Sequence, residues 1–554
     1  MKVYLVKVAA GLALITVLAY MIGAYSPYAE MRDLPSYTVS TVTRITMTLV
    51  LSVLWGVSFG ILAATNKTAG YVVTPVIDLL QSIPILGYFP LVIGFLFTWG
   101  AFGVEVSVIV LLFTSMAWAI FFGVVAAVRA IPANVIEASR SFGITGWKYT
   151  RHIILPAIAP ALVAGANLAW SDGWFFMIAA EYIEYKGAIV SPPSGGIGVL
   201  LARSAYFYRD MGMAVQLLVY VTVLVVVINS LSWHRLMNRA GAGTFKPIFQ
   251  IGLSGVGKMG YLGGTGWFSL EHIQVPKAFS AFWQRLEDYT RRQKMLTAVI
   301  AAVIIAVFLI RELDHLPSAS TVAQAFTQPP GEEFGGIHWL ILMTMGRLTV
   351  AYIISLAVAL GLGVLAAEHK LAAAIINPVY DIGQGVPILA LFPAIYLGLS
   401  SIFGSQRLAL EVTCVVMLVL DMIWYMFVNV SSAVKNIPAE IREVGSLFGF
   451  KGMKRITHII IPSILPAIVT GSILSWGTGW NTVIFSEYLP STGPGVPDVY
   501  VPGLGSLLDK AGYVYGNTII LVVIVMIIAA IVLSMEALIW RPLLRRFEKY
   551  KVEV

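Results

Sequence analysis

Few side chains in this sequence are placed where they could do chemistry. The stretch from Gly252 to Lys258 reads Gly-x-x-x-x-Gly-Lys and fits the first seven positions of a phosphate-binding loop. The eighth position of such a loop holds Mg²⁺ through Ser or Thr, and here it is Met259. The segment around it, residues 234–294, is also too short to form a nucleotide-binding domain. We therefore interpret its glycines as a flexible tether and predict that this chain does not itself hydrolyse ATP.

A second group of candidates consists of polar side chains inside long apolar runs. An Asp at the centre of a membrane-spanning helix costs about 2.5–3.5 kcal/mol on insertion scales, so such residues are functional candidates. We predict that a path between two halves of the chain is lined by Asp172, Trp174, Thr478, Trp480 and Asn481. For the Trp residues, packing between helices or a place in an interfacial belt stays open as the alternative.

The composition is that of a membrane protein and determines which elements must position these candidates. The chain has 554 residues, of which 58% are hydrophobic and 12% are charged, against about 25% charged in soluble domains. Apolar runs of about 20 residues recur, the length that a helix needs to cross a bilayer. We attribute the net charge of +8 to Lys and Arg gathered in loops on the cytoplasmic side, and predict no nucleic-acid partner.

The chain contains a tandem duplication whose clearest match is a polar loop. Residues 129–183 and 435–489 align without gaps and share 24 of 55 residues. We call residues 129–152 the first matched loop and residues 435–458 the second matched loop. Apolar runs resemble one another easily, whereas a matched polar loop between apolar runs indicates a shared function.

Both matched loops carry a spaced pattern that resembles a known family. The first has Glu137-Ala138-Ser139, Gly143 and Ile153-x-Leu-Pro156, and the second has Glu443-Val-Gly, Gly449 and Ile459-x-Ile-Pro462. This pattern resembles the EAA loop of the permease subunits of binding-protein-dependent ABC importers. The first copy departs only at Ser139, whereas the second departs at Val444, Gly445 and Ile461.

The resemblance implies a type I ABC importer permease fold, all-α and polytopic, with twelve transmembrane helices in two tandem parallel repeats of six. We expect a prokaryotic plasma (inner) membrane protein with both termini cytoplasmic, because most Lys and Arg then lie in inner segments. We favour a retained first helix over a signal peptide for residues 3–24. The expected divisions are a first repeat at 1–233, a basic Gly-rich linker at 234–294, a second repeat at 295–540 and a basic tail at 541–554.

The third apolar run of each repeat contains several prolines. Pro75, Pro84 and Pro90 recur 303 residues later, and the polar residue Gln81 recurs there as Gln384. Proline removes a backbone donor and breaks a helix, and irregular backbone at membrane depth must be sheltered by protein or a water-filled cavity. We predict that Gln81 and Gln384 face the translocation path, with a pair of kinked packing helices as the alternative.

The resemblance also assigns roles to the matched loops. In the family, this loop carries a short coupling helix that docks on a cytoplasmic ATPase subunit, which would involve Glu137, Ala138, Gly143, Glu443 and Gly449. Two loops imply two copies of the ATPase, with ATP and Mg²⁺ bound there and no cofactor in this chain. A separate substrate-binding protein outside the membrane is a further implied partner. The alternative for the loops is a structural helical hairpin.

The substrate and the driving force have competing interpretations. The proline-containing runs are most similar to permeases for nitrate, sulfonates and taurine, which implies a small anion. No basic cluster is expected at mid-membrane depth apart from Arg44 and Arg347, which we expect near the outer ends of their helices, as we do Glu181 and Glu487. A secondary transporter of two six-helix halves, driven by an ion gradient, remains the main alternative. A membrane enzyme is disfavoured, because the seven His residues show no metal-ligand spacing.

Overall fold

The computed structural model of the chain describes residues 2–185, 188–204, 208, 210–233, 236, 336–384, 386–489, 498–511 and 518–548. Nearly all of this is helix. The proposed linker from residue 237 onward, the expected first helix of the second repeat near 295–310 and the acidic segment that follows it lie outside the described residues. The division of the chain at 234, 295 and 541 therefore stays a prediction.

The first half contains ten α-helices in the residues described. Its helices are α1 (Lys2–Tyr25), α2 (Leu34–Thr65), α3 (Lys67–Ser82), α4 (Ile85–Leu96), α5 (Gly100–Arg129), α6 (Ala133–Ser141), α7 (Gly146–Tyr149), α8 (Leu155–Glu181), α9 (Ile197–Ala202) and α10 (Met211–Leu231). A short hairpin of β1 (Ile183–Tyr185) and β2 (Ala188–Val190) follows α8.

The second half repeats this plan in the residues described. Its helices are α11 (Ile337–Glu368), α12 (Lys370–Gly383), α13 (Ile388–Phe403), α14 (Gln406–Lys435), α15 (Ala439–Leu447), α16 (Met453–Arg455), α17 (Ile461–Ser486), α18 (Leu504–Asp509), α19 (Thr518–Met535) and α20 (Arg541–Glu548). A hairpin of β3 (Tyr488–Leu489) and β4 (Val499–Tyr500) follows α17. Two pairs of equivalent helices have equal lengths: α2 and α11 have 32 residues each, and α5 and α14 have 30 each.

Eight helices or helix pairs in the described residues are long and apolar enough to cross a membrane, and shorter apolar helices add to them. The fold is therefore the all-helical, polytopic, duplicated one that the sequence predicts. The total of twelve stays a prediction, because residues 295–310 are not among those described.

Each half is built around a three-helix core whose close packing depends on small residues. In the first half α2 packs on α5 and α5 packs on α8, and in the second half α11, α14 and α17 do the same. A Cβ added at Gly60 would lie 2.8 Å from Val124 Cγ1, and one at the equivalent Gly363 would lie 2.7 Å from Val430 Cγ1. Small side chains let helix backbones approach closely in lipid, where helices associate mainly through packing.

The proline-containing run of each half is a broken helix. In the first half, α3 ends at Ser82 and α4 begins at Ile85, directly after Pro84. In the second half, α12 ends at Gly383 and α13 begins at Ile388, directly after Pro387. A proline suits the start of a helix because its missing N–H is not needed there. The sequence prediction of broken backbone in these runs is confirmed.

The two halves meet through these broken helices. The second piece of each broken helix crosses to the other half: α4 packs against α17 and α19, and α13 packs against α8 and α10. The break in each run therefore lies at the boundary between the halves.

Candidate functional site

Each matched loop is a short helix that ends in a tight turn. The α6 helix begins after Pro132, and its C-terminal turn is closed by a hydrogen bond from Ile144 N to Ser139 O at 2.8 Å. Gly143 lies in this turn with φ +69°, and the matched Gly449 has φ +72°. This left-handed conformation is the usual end of a helix at a glycine, because other residues meet a Cβ clash there. Both glycines therefore provide the turn that the loop pattern predicts.

The loops present exposed side chains of two kinds. Glu137 and Ala138 are exposed, and so is Glu443. Beside them are two matched aromatic residues, Phe142, which is 82% exposed, and Phe448, which is 74% exposed. Isolated surface apolar residues are common, but large aromatic side chains exposed at the same place on two polar loops form a repeated surface feature.

The second matched loop is tied to the end of α11 by charges, and the matching positions of the first loop are uncharged. Glu368 accepts from Arg442 Nη1 at 3.0 Å and pairs with Arg455 Nη2 at 2.8 Å. Arg442 also donates to Val434 O at 2.5 Å. At the corresponding places the first half has Thr65, Ile136 and Tyr149. The two loops therefore differ in how they are held to the core.

At the helix break in the first half, a side chain of the second half accepts a backbone hydrogen bond. The backbone N–H of Ile85, at the start of α4, donates to Asn481 Oδ1 on α17 at 2.7 Å. A helix start leaves N–H groups without intrahelical partners, and at membrane depth such groups need protein acceptors. The residue matched to Asn481 in the first half is Phe175, which cannot accept this bond from α13.

A cavity lies at the break in the second half, on the side where Phe175 replaces the amide. Its volume is about 80 Å³, enough for a few water molecules or one small chemical group. Residues of both halves line it: Leu168, Ser171, Asp172, Phe175, Phe176, Tyr380, Gln384, Val386, Ile388, Asp421, Trp424, Tyr425, Val428, Thr478 and Asn481.

The structure brings four of the predicted path residues to this cavity, namely Asp172, Gln384, Thr478 and Asn481. Trp174 and Trp480 are each 1% exposed and lie in the hydrophobic core, which is the packing alternative left open for them. Gln81 is exposed on α3 and is not among the residues that line the cavity. The two glutamines of the repeat therefore occupy different environments.

Comparison with known proteins identifies the family. The family model described as "Binding-protein-dependent transport system inner membrane component" matches residues 56–239 and, a second time, residues 359–547. The two matches cover well over half of the chain and contain both matched loops. The chain belongs to this family. It is a fused form of the permease, with two family domains in one polypeptide.

Relatives of this permease include transport proteins named for taurine, nitrate and sulfonates. It is 28% identical over 144 residues to the taurine transport system permease protein of Escherichia coli, covering 26% of this chain and 50% of the relative. It is 25% identical over 154 residues to the nitrate import permease protein of Leptolyngbya laminosa, covering 28% and 52%. A putative aliphatic sulfonates transport permease protein of Bacillus subtilis is 25% identical over 202 residues, covering 36% and 69%. The matched regions span about half the length of the first two relatives.

The permease has two cavity residues that our sequence interpretation missed. Asp421 lies on α14 and is 3% exposed, and its Oδ2 accepts from Thr482 at 2.9 Å. Tyr425, one turn later, donates its hydroxyl to Asp172 Oδ1 at 3.1 Å. An acidic residue inside the apolar run at 408–428 was the available signal. It was overlooked because the matching residue of the first repeat is Ser115.

A second feature of the permease that the sequence only hinted at is a buried ion-pair cluster in each half. Arg347 donates through Nε and Nη2 to Glu411, both at 2.7 Å, and through Nη1 to Glu487 Oε1 at 2.7 Å. Glu487 Oε2 also accepts from the N–H of Gly505 at 2.8 Å, next to the start of α18. Glu487 is 0% exposed.

The first half contains the same cluster at matched positions. Arg44 donates through Nε to Glu105 at 2.9 Å and through Nη1 to Glu181 at 2.7 Å, and it also bonds Ser194. Glu181 accepts from the N–H of Gly198 at 2.8 Å. In each half, a buried carboxylate at the end of the fifth apolar run thus binds two partners. One is the arginine on α2 or α11, and the other is a backbone N–H of the short helix α9 or α18, which is thereby held in place.

Proposed function

We propose that this permease forms the translocation path of an ATP-driven importer and is moved by cytoplasmic ATPase subunits that grip its two matched loops. The observation that carries the proposal is the pair of exposed aromatic residues, Phe142 and Phe448, which recur at the same place on the two matched loops. A loop that only connected two helices would gain nothing from exposing them, whereas apolar anchors of this kind fill pockets on partner proteins.

Two loops with the same turn and the same exposed aromatic residue support two ATPase copies, one for each half. Closure of the ATPase pair on ATP and Mg²⁺, both bound on those partners, would draw the loops together. Because α6 and α15 are joined directly to the three-helix cores, the loops would transmit this movement as rigid-body motion of the halves, which opens and closes the path alternately. A separate binding protein would deliver the solute to the outer face. Glu137, Ala138, Gly143, Glu443 and Gly449 form the loop surface in this proposal.

The relatives support a small anionic solute, since those compared are named for taurine, nitrate and sulfonates. In this proposal Asp172, Gln384, Thr478 and Asn481 border the solute, and the buried Trp174 and Trp480 shape the wall behind them. In the first half, Gln81 occupies the position equivalent to Gln384. The chain is oriented with both matched loops and both termini in the cytoplasm.

The proposal is tested by purifying the tagged chain from membranes of its host and measuring ATP hydrolysis by the proteins that accompany it. We expect a soluble ATPase to co-purify. We expect it to be lost from the double variant Phe142→Asp/Phe448→Asp and from Glu137→Lys/Glu443→Lys. Arg407→Glu is the matched control, because Arg407 is exposed at the opposite end of α14 from the second matched loop. An ATPase that stays bound to both double variants would contradict the proposal.

A secondary transporter is the second candidate, and the two intramembrane carboxylates Asp172 and Asp421 favour it, because such groups act as ion or proton relays in transporters. Solute uptake by cells that contain the chain separates the two. Under the proposal, uptake stops on ATP depletion and continues after the proton and sodium gradients are collapsed with ATP maintained. The opposite pattern would establish the secondary transporter.

A further inference from the structure

We propose that the cavity at the second-half break receives the positively charged nitrogen of a small organic solute. The inference rests on the proposed function, because it takes the cavity as part of the transport path. It narrows the solute proposed above to a zwitterion, which carries an ammonium group as well as its anionic group, as opposed to a simple inorganic anion.

The first argument is the charge of the cavity wall. Two carboxylates, Asp172 and Asp421, line the same space, one from each half. None of the described residues that line it is Lys, Arg or His, and no described cation forms an ion pair with either carboxylate. Buried charges in proteins are normally paired, and the buried Glu181 and Glu487 of this chain each have an arginine. A cationic ligand would supply the charge that is missing at the cavity.

The second argument is the orientation of the carboxylates. Tyr425 holds Asp172 through its hydroxyl, and Thr482 holds Asp421. Both donors are neutral, so they position the carboxylates without cancelling their charge. An ionised carboxylate can accept about four hydrogen bonds, which leaves capacity for the N–H groups of a ligand.

The third argument is the aromatic wall, which favours an organic ammonium group over a metal ion. Phe175, Tyr380, Trp424 and Tyr425 line the cavity beside the two carboxylates. Aromatic faces attract cations, and sets of rings are the usual surroundings of alkylated ammonium groups. Hard metal ions need six or more oxygen ligands in a regular arrangement, and the described part of the chain has no group of three or more acidic, His or Cys side chains that could hold a metal ion.

The glycine at the end of α12 provides the space that the Trp424 ring occupies. A Cβ on Gly383, the last residue of α12, would lie 2.3 Å from Cη2 of the Trp424 ring. Only a glycine therefore lets the ring lie against the end of α12 and border the cavity. In the first half the residue equivalent to Gly383 is Leu80, and the residue matched to Trp424 is Trp118, which is not among the residues that line the cavity.

An anionic group on the same solute is compatible with this cavity. Ile388, the first residue of the 16-residue helix α13, also lines it. The N-terminal end of a helix carries roughly half a positive charge. A zwitterion could therefore place its nitrogen at the carboxylates and its anionic group towards the start of α13.

The test measures binding to the full chain in lipid nanodiscs by calorimetry, with no ATPase or nucleotide present. The probes are 2-aminoethanesulfonate and 2-hydroxyethanesulfonate, which share a sulfonate and differ only in ammonium against hydroxyl, together with choline and sodium chloride. We expect the amino compound to bind at least about tenfold more tightly than its hydroxyl analogue, a factor that corresponds to 1.4 kcal/mol.

Variants show whether the cavity carboxylates create this preference. Asp172→Asn and Asp421→Asn keep the shape of the side chain and remove its charge, and each is expected to bring the amino-to-hydroxyl ratio close to one. Ser115→Ala, at the position matched to Asp421 and absent from the cavity lining, is expected to leave the ratio unchanged. The ratio compares two ligands on one protein, so a general loss of stability does not change it.

Three outcomes overturn the inference. They are equal binding of the two sulfonates, absence of binding by both ammonium probes, and sodium binding that both Asn variants abolish. Because the ATPase plays no part in this measurement, its result is separate from the test of the matched loops. Ammonium selectivity in a chain that captures no ATPase would refute the importer and keep the cavity assignment.

Discussion

The buried cluster around Arg347 leads to a quantitative prediction about stability. Arg347 is shared by two carboxylates in different surroundings: Glu411 has a side chain 34% exposed, whereas Glu487 is 0% exposed. Replacing Arg347 with Met would leave the Glu487 carboxylate buried without a counter-charge. Removing one partner of a buried pair costs about 3–5 kcal/mol, a large part of the roughly 5–15 kcal/mol that holds a typical domain folded.

The matched comparison is Glu411→Gln, which removes the exposed partner from the same arginine. Because partly exposed pairs contribute about 0–1 kcal/mol, we expect this variant to lose far less stability than Arg347→Met. The double variant Arg347→Met/Glu487→Gln removes the buried charge as well as its partner. It should therefore recover much of the loss.

The assay is titration of the detergent-solubilised chain with a denaturing detergent, followed by tryptophan fluorescence, to obtain the free energy of unfolding of each variant. The expected order of stability is wild type, Glu411→Gln, the double variant and then Arg347→Met. If Glu411→Gln and Arg347→Met lost equal stability, or if the double variant were no better than Arg347→Met, the buried carboxylate would not be what makes the arginine necessary.

Three further predictions concern the half boundary and the matched loops. Asn481→Leu should lower the free energy of unfolding by about 1–3 kcal/mol, because it leaves the Ile85 N–H buried without an acceptor. The isosteric Asn481→Asp retains the acceptor and should keep the Ile85 N–H protected from hydrogen exchange. Equal exchange of this N–H in both variants would refute the hydrogen bond. Gly449→Val should destabilise its turn by about 1–3 kcal/mol, since φ is +72° there, and Gly449→Asn should destabilise it less. Limited proteolysis should therefore cleave the second matched loop fastest in the Val variant. Equal cleavage rates in the two variants would show that the left-handed turn is absent. Arg442→Met should speed hydrogen exchange in residues 439–447 and not in residues 133–141, because the ion pair between Arg442 and Glu368 holds only the second matched loop. An equal change in both segments would argue against a role of this ion pair in holding the loop.

Repetition made much of the fold predictable from sequence. A polar loop that recurs after 306 residues locates the equivalent helices on either side of it, and hydropathy then gives their approximate lengths. The breaks at Pro84 and Pro387 were also predictable, because proline acts through its own ring and missing N–H and needs no information about neighbours. These features depend on local chemistry alone.

The cavity could be predicted only in part, because it depends on which helix face meets which. Trp174 and Asp172 are two positions apart on one helix, and periodicity alone does not say which of them faces the core. In the structure the indole is 1% exposed in the core and the carboxylate lines the cavity. Asp421 was missed for another reason: reading the chain through its repeat favours positions that match, and Ser115 does not match Asp421.

The hairpins after α8 and α17 and the buried arginine clusters were beyond sequence reasoning for a common reason. Strands of two or three residues have no periodicity to detect, and their pairing is decided by contacts with the rest of the half. Arg44 and Glu181 lie 137 positions apart in the chain. In the sequence, nothing links two such charges except that both recur in the second repeat.

The replacement of Asn481 by Phe175 at the matched place has a consequence for how such a protein can evolve. A homodimer made from one gene would carry the same residue at both breaks, so any change made to recognise a solute would appear twice, facing itself. Joining the two copies in one reading frame frees each from this constraint. One copy can keep the amide that seals its neighbour's helix, while the other gives up that seal and leaves an open space. Gene fusion thereby allows an asymmetric cavity inside a framework of helices that remains almost symmetric.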